Sequence, residues 1–192
     1  MVDLASRARE GRASLLGIGL GLVVVVFLIV VGRAEAHSNV IDFRQTCSGH
    51  RADGHNHEDT IYGSTICAAT PDIFRGLWGP DRIYGYFGDD ILLKGAKGDD
   101  VVHGGVGSDR IEGSDGEDTL VGGAHSDHIE GGLDGDRIRG GLGRDRMYGQ
   151  FGNDRIRGNG GADFIDCGDG DQDEAWGGAG KDTFVNCEIR HP

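Results

Sequence analysis

Aspartate recurs at a fixed spacing through the middle of the chain, and its carboxylate is the chemical group that this region repeats. One aspartate stands at the sixth position of each of ten successive nonapeptides: Asp81, Asp90, Asp100, Asp109, Asp118, Asp127, Asp136, Asp145, Asp154 and Asp163. Carboxylate oxygens are the preferred ligands of hard cations, and Ca²⁺ takes about six to eight oxygens. The spacing therefore predicts a row of calcium sites.

The rest of each nonapeptide indicates how these carboxylates are positioned. Gly begins every unit, and an apolar residue stands eighth: Ile83, Leu92, Val102, Ile111, Leu120, Ile129, Ile138, Met147, Ile156 and Ile165. Nine residues are too few for a helix and a turn, and glycine weakens helices. The pattern predicts a Gly-rich turn followed by a three-residue strand whose eighth position faces inward. Two units then form one coil of a β-solenoid.

The thin core of such a solenoid predicts that a cation is part of the fold. Stacking brings aspartates of alternate units close together, where like charges repel. A calcium ion removes this repulsion, and glycine turns leave backbone carbonyl oxygens free to point at it. A disordered tail does not explain an apolar residue at every eighth position, and a metal-free solenoid does not explain the rows of aspartate.

The units resemble the haemolysin-type, or RTX, calcium-binding repeat G-G-x-G-x-D-x-U-x, as in "GGVGSDRIE" at 104–112 and "GGLGRDRMY" at 140–148. The resemblance implies an all-β parallel β-roll in which calcium lies between successive turns on each side. Asp at position six supplies carboxylate oxygen, and the turn glycines supply carbonyl oxygen. It implies two stacks of five aspartates, with room for about eight ions.

Some units depart from this pattern. Position four is His125 or Asp134 in two units, which predicts weaker binding or another turn shape around Asp127 and Asp136. Position two is not glycine in six units, where a left-handed turn is then less favourable: Leu77, Tyr86, Ala96, Ser114, Gln150 and Asn159. Lys94 is the single extra residue of this division into nonapeptides, and it predicts a bulge in its strand or a shift of the register there.

Weaker units extend the repeats at both ends, and they define the predicted organisation of the chain. They place Asp59 before Ile61, Asp72 before Phe74, and Asp182 before Phe184, and a stretched unit covers residues 167–176. We expect an export or anchor segment at 1–36, a cap at 37–75, ten regular units at 76–166, and degenerate repeats with a second cap at 167–192. No separate second domain is left over.

The first 36 residues are typical of an export segment. Arg7, Arg9 and Arg12 precede an apolar run at 15–31, and Ala34-Glu35-Ala36 is a small-x-small cleavage pattern. The run is also just long enough to anchor the chain uncleaved in a bilayer. Both alternatives predict an extracellular or cell-surface location, with contact to a membrane only through this segment.

Four cysteines fit an oxidising compartment. They lie as two couples, Cys47 with Cys67 and Cys167 with Cys187. Three pairings are possible, and we interpret the two local ones as disulfides that staple both ends of the roll. A zinc site at Cys47 with nearby histidines is the alternative, although the paired ligand spacings of zinc sites are absent.

The net charge and the absence of two hydrolase motifs disfavour some classes of function. The charge of −13 disfavours nucleic acid as a partner. No G-x-S-x-G or H-E-x-x-H is present, and we therefore expect a non-enzymatic, structural or surface-interaction protein. A non-catalytic accessory module or remnant of a secreted hydrolase is an alternative. A further one is a binder of an anionic polysaccharide or cell-surface polymer, through Arg137, Arg139, Arg155 and Arg157 on one face.

Overall fold

The computed structural model describes residues 39–44, 50–65 and 71–191, and these residues form strands and turns. The first nine strands are β1 (Asn39–Asp42), β2 (Arg51–Asp53), β3 (Asp59–Tyr62), β4 (Ile73–Trp78), β5 (Arg82–Phe87), β6 (Leu92–Lys97), β7 (Val101–Val106), β8 (Arg110–Asp115) and β9 (Thr119–Ala124). The remainder are β10 (His128–Leu133), β11 (Arg137–Leu142), β12 (Arg146–Gln150), β13 (Arg155–Gly160), β14 (Phe164–Asp166), β15 (Glu174–Ala179), β16 (Thr183–Val185) and β17 (Ile189–His191).

The strands alternate between two parallel sheets. Odd-numbered strands form a nine-stranded sheet and even-numbered strands form an eight-stranded sheet, each in chain order. A strand therefore pairs with the second strand after it, as β7 does with β9 and β8 with β10. This arrangement is a parallel β-roll with two nonapeptides per coil, as predicted. None of the described residues belongs to a helix that is long and apolar enough to cross a membrane.

The core is a single layer of side chains between the two sheets. Nine of the ten residues expected to face inward are buried, and the core continues into the weaker units through Ile61, Phe74 and Ala175. Leu92 is the exception, because Leu93 is the fully buried residue of that unit. The extra residue is Ile91, which is 56% exposed before β6 begins. The prediction for Lys94 was wrong: it pairs in register with Arg75 and Glu112.

Most strands are longer than predicted, because they run through the start of the next unit. A typical strand has six residues, at positions seven to nine of one unit and one to three of the next. Within such a strand, position eight of one unit and position one of the next both face inward. The turn is therefore confined to positions four to six.

The unfavourable side chains at position two do not change the backbone. All six of those residues adopt positive φ, from 70° at Tyr86 to 100° at Ser114. His125 and Asp134 at position four do the same, with φ of 85° and 70°. The glycines at position four of the other eight units have φ between 106° and 152°. The two exceptional turns therefore keep a positive φ but at a lower value, and the weaker binding expected around Asp127 and Asp136 stays a prediction. Left-handed backbone costs a non-glycine residue about 1–2 kcal/mol, and the fold tolerates this strain.

The carboxyl end carries the predicted disulfide, between Cys167 and Cys187. At the other end, the Phe43 ring stacks on His50 and on Phe74, with centroids 4.4 and 5.9 Å apart. Cys47 and Cys67 lie outside the described residues, and so does the export or anchor segment at 1–36. The amino-terminal staple, the segment and the boundary at residue 36 stay predictions.

Candidate metal centre

The aspartates at position six form two continuous columns, one beside each sheet. In both columns the backbone N–H of each aspartate donates to Oδ1 of the aspartate one coil further on, at 2.7–3.0 Å. The first column contains Asp59, Asp81, Asp100, Asp118, Asp136, Asp154 and Asp173. The second contains Asp72, Asp90, Asp109, Asp127, Asp145, Asp163 and Asp182. All ten predicted aspartates are in these columns, and four further ones extend them.

The four further aspartates come from the irregular units. Asp59 follows Gly54 and precedes Ile61 at the spacing of a regular unit, and this signal was sufficient to find it. Sequence analysis did not identify Asp173, because its unit is one residue longer than a nonapeptide. His50 occupies the corresponding position before β2, where its backbone N–H and its ring Nδ1 both contact Oδ1 of Asp72 at 2.8 Å. At the other end, Glu188 accepts from the N–H of Asp173 at 3.0 Å.

In nearly all column aspartates, one of the two carboxylate oxygens lacks a hydrogen-bond donor among the described residues. Thirteen column aspartates, all except Asp182, have one buried oxygen without a hydrogen-bond partner among the described residues. For twelve of them this atom is Oδ2. Such atoms are rare in proteins, because a buried acceptor without a partner loses its hydration and gains nothing in exchange. These rows of free oxygen indicate that a ligand outside the chain completes the site.

The glycine at position one makes room for this oxygen. At Gly113, a Cβ would overlap with Oδ2 of Asp118 and lie 2.7 Å from the carbonyl oxygen of Gly131, one coil further on. The same contacts recur at Gly104, with Asp109 and Gly122. Glycine is therefore required here by space, and its absent side chain lets a carboxylate oxygen and a carbonyl oxygen approach the same point.

The register between neighbouring strands skips position one. Pairing between β9 and β11 runs through Leu120 with Ile138 and Val121 with Arg139, passes over position one, and resumes at Gly123 with Gly141. The same gap recurs in the pairing of β7 with β9. The inner surface beside each sheet therefore carries carboxylate oxygen and carbonyl oxygen together.

Burial disfavours the charged form of these aspartates when no cation is present. Loss of solvent raises the pKa of Asp100 and Asp136 to about 8, and neighbouring carboxylates add to the rise against one opposing backbone hydrogen bond. For Asp109 and Asp145 the same burial raises the pKa to about 6. At neutral pH the aspartates with the largest rise, such as Asp100 and Asp136, therefore favour a proton or a cation in its place.

The donor set fits calcium rather than a transition metal. No group of three or more His, Cys, Asp or Glu side chains that could hold a metal ion occurs within 39–44, 50–65 and 71–191. An ion in the columns must therefore bind backbone carbonyl oxygen as well as carboxylate. Mixed carboxylate and carbonyl oxygen is typical of Ca²⁺ sites, whereas zinc takes nitrogen and sulfur. Cys47 of the alternative zinc site lies outside the described residues.

The four arginines predicted as an anion patch lie together on the outer face of the nine-stranded sheet. Arg137 pairs in register with Arg155, and Arg139 with Arg157, and all four side chains are exposed. The sequence places them correctly because positions seven and nine face outward. Their binding role stays a prediction.

Comparison with known proteins supports this description. The model of the RTX calcium-binding nonapeptide repeat matches six overlapping stretches, at 69–96, 75–111, 92–120, 103–138, 130–165 and 139–172. Together these stretches cover more than half of the chain. Comparisons with curated proteins and with solved structures each find no match. The repeat is a structural calcium-binding unit, and with its two columns of buried aspartate this chain belongs to the RTX calcium-binding nonapeptide repeat family.

Proposed function

We propose that the chain is an exported protein that folds when its two columns of aspartate bind calcium, and that it serves a structural or surface-interaction role. The observation that carries this proposal is the set of thirteen buried carboxylate oxygens without a hydrogen-bond partner. Free oxygens that recur at every coil require a ligand that also recurs at every coil. Calcium ions bound along both columns meet that requirement.

The electrostatics of the columns explain why binding and folding are coupled. Asp118 and Asp136 are at most 1% exposed, and no Lys or Arg forms an ion pair with a column aspartate among the described residues. Burying unpaired carboxylates is costly unless the charge is removed or compensated. A divalent ion compensates two charges, and its binding free energy becomes folding free energy.

The residues that hold calcium in this proposal are the ten aspartates of the regular units, with Asp59, Asp72, Asp173 and Asp182 at the ends of the columns. The first-position glycines add carbonyl oxygen. The protein's part is to hold these oxygens in fixed rows and exclude water from them. We expect about eight ions, from the gaps between successive regular units in the two columns.

A cell that exports such a chain benefits from the coupling. Calcium is scarce in the cytoplasm and abundant outside, so the chain stays unfolded before export and folds afterwards. The export or anchor segment at 1–36, followed by the repeats, supports this order of events. The disulfide at Cys167 and Cys187 also suits an oxidising compartment.

Calorimetric titration of the full chain with calcium tests the proposal. We expect several ions per chain for the unmodified protein, and fewer ions or at least tenfold weaker binding after Asp118→Asn with Asp136→Asn in the first column. The matched control is Asp115→Asn with Glu117→Gln, which removes the same charge from two exposed side chains nearby. Equal binding by both double variants would show that the columns are not the calcium sites.

A further inference from the structure

The outer face of the nine-stranded sheet carries four arginines that the protein itself leaves almost uncompensated. We call Arg137, Arg139, Arg155 and Arg157 the arginine patch. Adjacent strands place the members of each pair about 4.8 Å apart, and like charges directly opposite each other in a sheet repel. Among the described residues, Arg155 alone forms an ion pair, with Glu174 at 3.8 Å. In the described part of the chain, Asp134 of a turn and Asp166 of β14 form no ion pair with the patch.

The opposite face of the same roll shows how charges are compensated when no outside partner is needed. On the eight-stranded sheet Arg110 contacts Glu112 at 2.8 Å and Glu130 at 2.9 Å. Lys94 contacts Glu112 at 3.1 Å, and His128 contacts Glu130 at 2.8 Å. This face has equivalent strand positions and equally short spacings. These three cations are paired, whereas the exposed Arg146 of β12 forms no ion pair among the described residues. The arginine patch differs from this face because it gathers four arginines in neighbouring positions with one ion pair among them. This gathering of like charge indicates an anion supplied from outside.

We infer that the arginine patch binds a carboxylated polysaccharide. The guanidinium group is a planar fork that matches a carboxylate with two parallel hydrogen bonds. The four groups point outward from a sheet face in two rows, an arrangement that suits a chain with a charge on successive units. A single small anion would contact one guanidinium pair and leave the other uncompensated.

The surroundings of the patch favour a polysaccharide over nucleic acid and membrane. Trp176 borders the patch, but Arg157 covers one face of its ring at 4.5 Å and His191 stacks on it at 4.9 Å. No face of this ring is left for a nucleic-acid base, and base stacking is the usual basis of single-strand binding. The apolar neighbours of the patch in register are Val121, beside Arg139, and Trp176, beside Arg157. Two separate side chains at the edges of the patch do not form an apolar surface that could enter a bilayer.

Binding of the calcium-loaded full chain to carboxymethyl-dextran tests the inference, with unmodified dextran as the neutral control on the same backbone. We expect binding to carboxymethyl-dextran alone, weakening as salt is raised because exposed charges are screened. Arg139→Gln with Arg157→Gln should weaken this binding at least tenfold. The matched control, Lys94→Gln with Arg110→Gln, removes the same charge from the paired face and should change binding less than twofold.

Three results would overturn the inference. They are equal binding by the patch variant and the unmodified chain, an equal loss in the control variant, and tighter binding to single-stranded DNA than to carboxymethyl-dextran. The inference requires a folded roll, and it rests on the proposed function to that extent. Circular dichroism of each sample separates the two failures, because a β-rich chain that does not bind refutes the patch alone, while a chain unfolded in calcium refutes the proposed function.

Discussion

Replacing the first glycine of a regular unit with alanine should displace the carboxylate that we assign to calcium. At Gly113 the new Cβ would overlap with Oδ2 of Asp118, lie 2.9 Å from its Cγ, and lie 2.7 Å from the carbonyl oxygen of Gly131. These separations are shorter than a normal contact, and one of the neighbours is backbone of β10, which pairs with β8 on one side and β12 on the other. Overpacking of this kind costs about 1–3 kcal/mol.

Gly160→Ala is the matched control for this substitution. Its Cβ would have only the Leu142 side chain at 3.3 Å and a carbonyl oxygen at 3.7 Å nearby. Its backbone is outside the left-handed region, so the change should leave stability unaltered or raise it by about 0.4–1 kcal/mol. The two variants therefore change stability in different ways although the chemical change is identical.

Urea unfolding at saturating calcium measures the difference. We expect Gly113→Ala to lower the free energy of unfolding by about 1–3 kcal/mol relative to the unmodified chain, and to require more calcium to fold. If Gly113→Ala proves as stable as Gly160→Ala and folds at the same calcium concentration, Oδ2 of Asp118 does not lie against this glycine, and the assignment of the columns fails.

Three further predictions use other features of the roll. Ala96, with φ of 99°, should gain about 1 kcal/mol of unfolding free energy on replacement by glycine, whereas Ala124→Gly, where φ is not positive, should lose stability in the same urea assay. Without calcium the raised pKa of column residues such as Asp100 means that the folded chain holds protons that the unfolded chain has released, so stability should fall as pH rises from about 4 to 8. Circular dichroism in chelator should then show more β-structure at pH 5 than at pH 8, and the reverse order would contradict the burial of these groups. Replacing Cys167 and Cys187 with serine opens a loop with a sequence separation of 20 residues and should cost about 3 kcal/mol, and unchanged thermal unfolding would show that the staple is dispensable.

The regular features of the fold could be predicted from the sequence because each depends on one position of the repeat. An apolar residue at position eight and aspartate at position six were sufficient to place Ile111 in the core and Asp109 in a column. Register within the parallel sheets then follows from the repeat length, since partners are usually 18 residues apart, as Asp109 and Asp127 are. The outward direction of Arg139 follows from strand alternation alone.

The errors arose where two neighbouring residues could satisfy the same local pattern. Leu92 and Leu93 are both apolar, and the packing of Leu93 against Phe74 and Ile111 in adjacent coils decides which one is buried. The residues next to Leu92 and Leu93 in the sequence do not show which of the two makes these contacts. The exposed position of Ile91 follows from it, because the extra residue must lie on the turn side of the buried leucine.

The conformational preference of single residues also gave a wrong expectation for the backbone at position two. Pairing with the neighbouring coils holds these residues at positive φ, although their own preference is for negative φ. Tyr86 lies beside Gly105 in the next coil, and both adopt positive φ, although only glycine does so without strain. Each coil is held in register by the coils before and after it. A cost of about 1–2 kcal/mol at one residue is too small to break that register.

Far-UV circular dichroism of the full chain in non-ionic detergent, during a calcium titration with a magnesium control, tests the central claim most directly. We predict that a disordered spectrum changes cooperatively to that of β-structure between about 10⁻⁴ and 10⁻³ M calcium, and that magnesium has no such effect because it requires a stricter geometry with fewer protein ligands. A chain that is already rich in β-structure in chelator at pH 8, and that calcium leaves unchanged, would contradict the account, because the buried aspartate columns would then be stable without a cation.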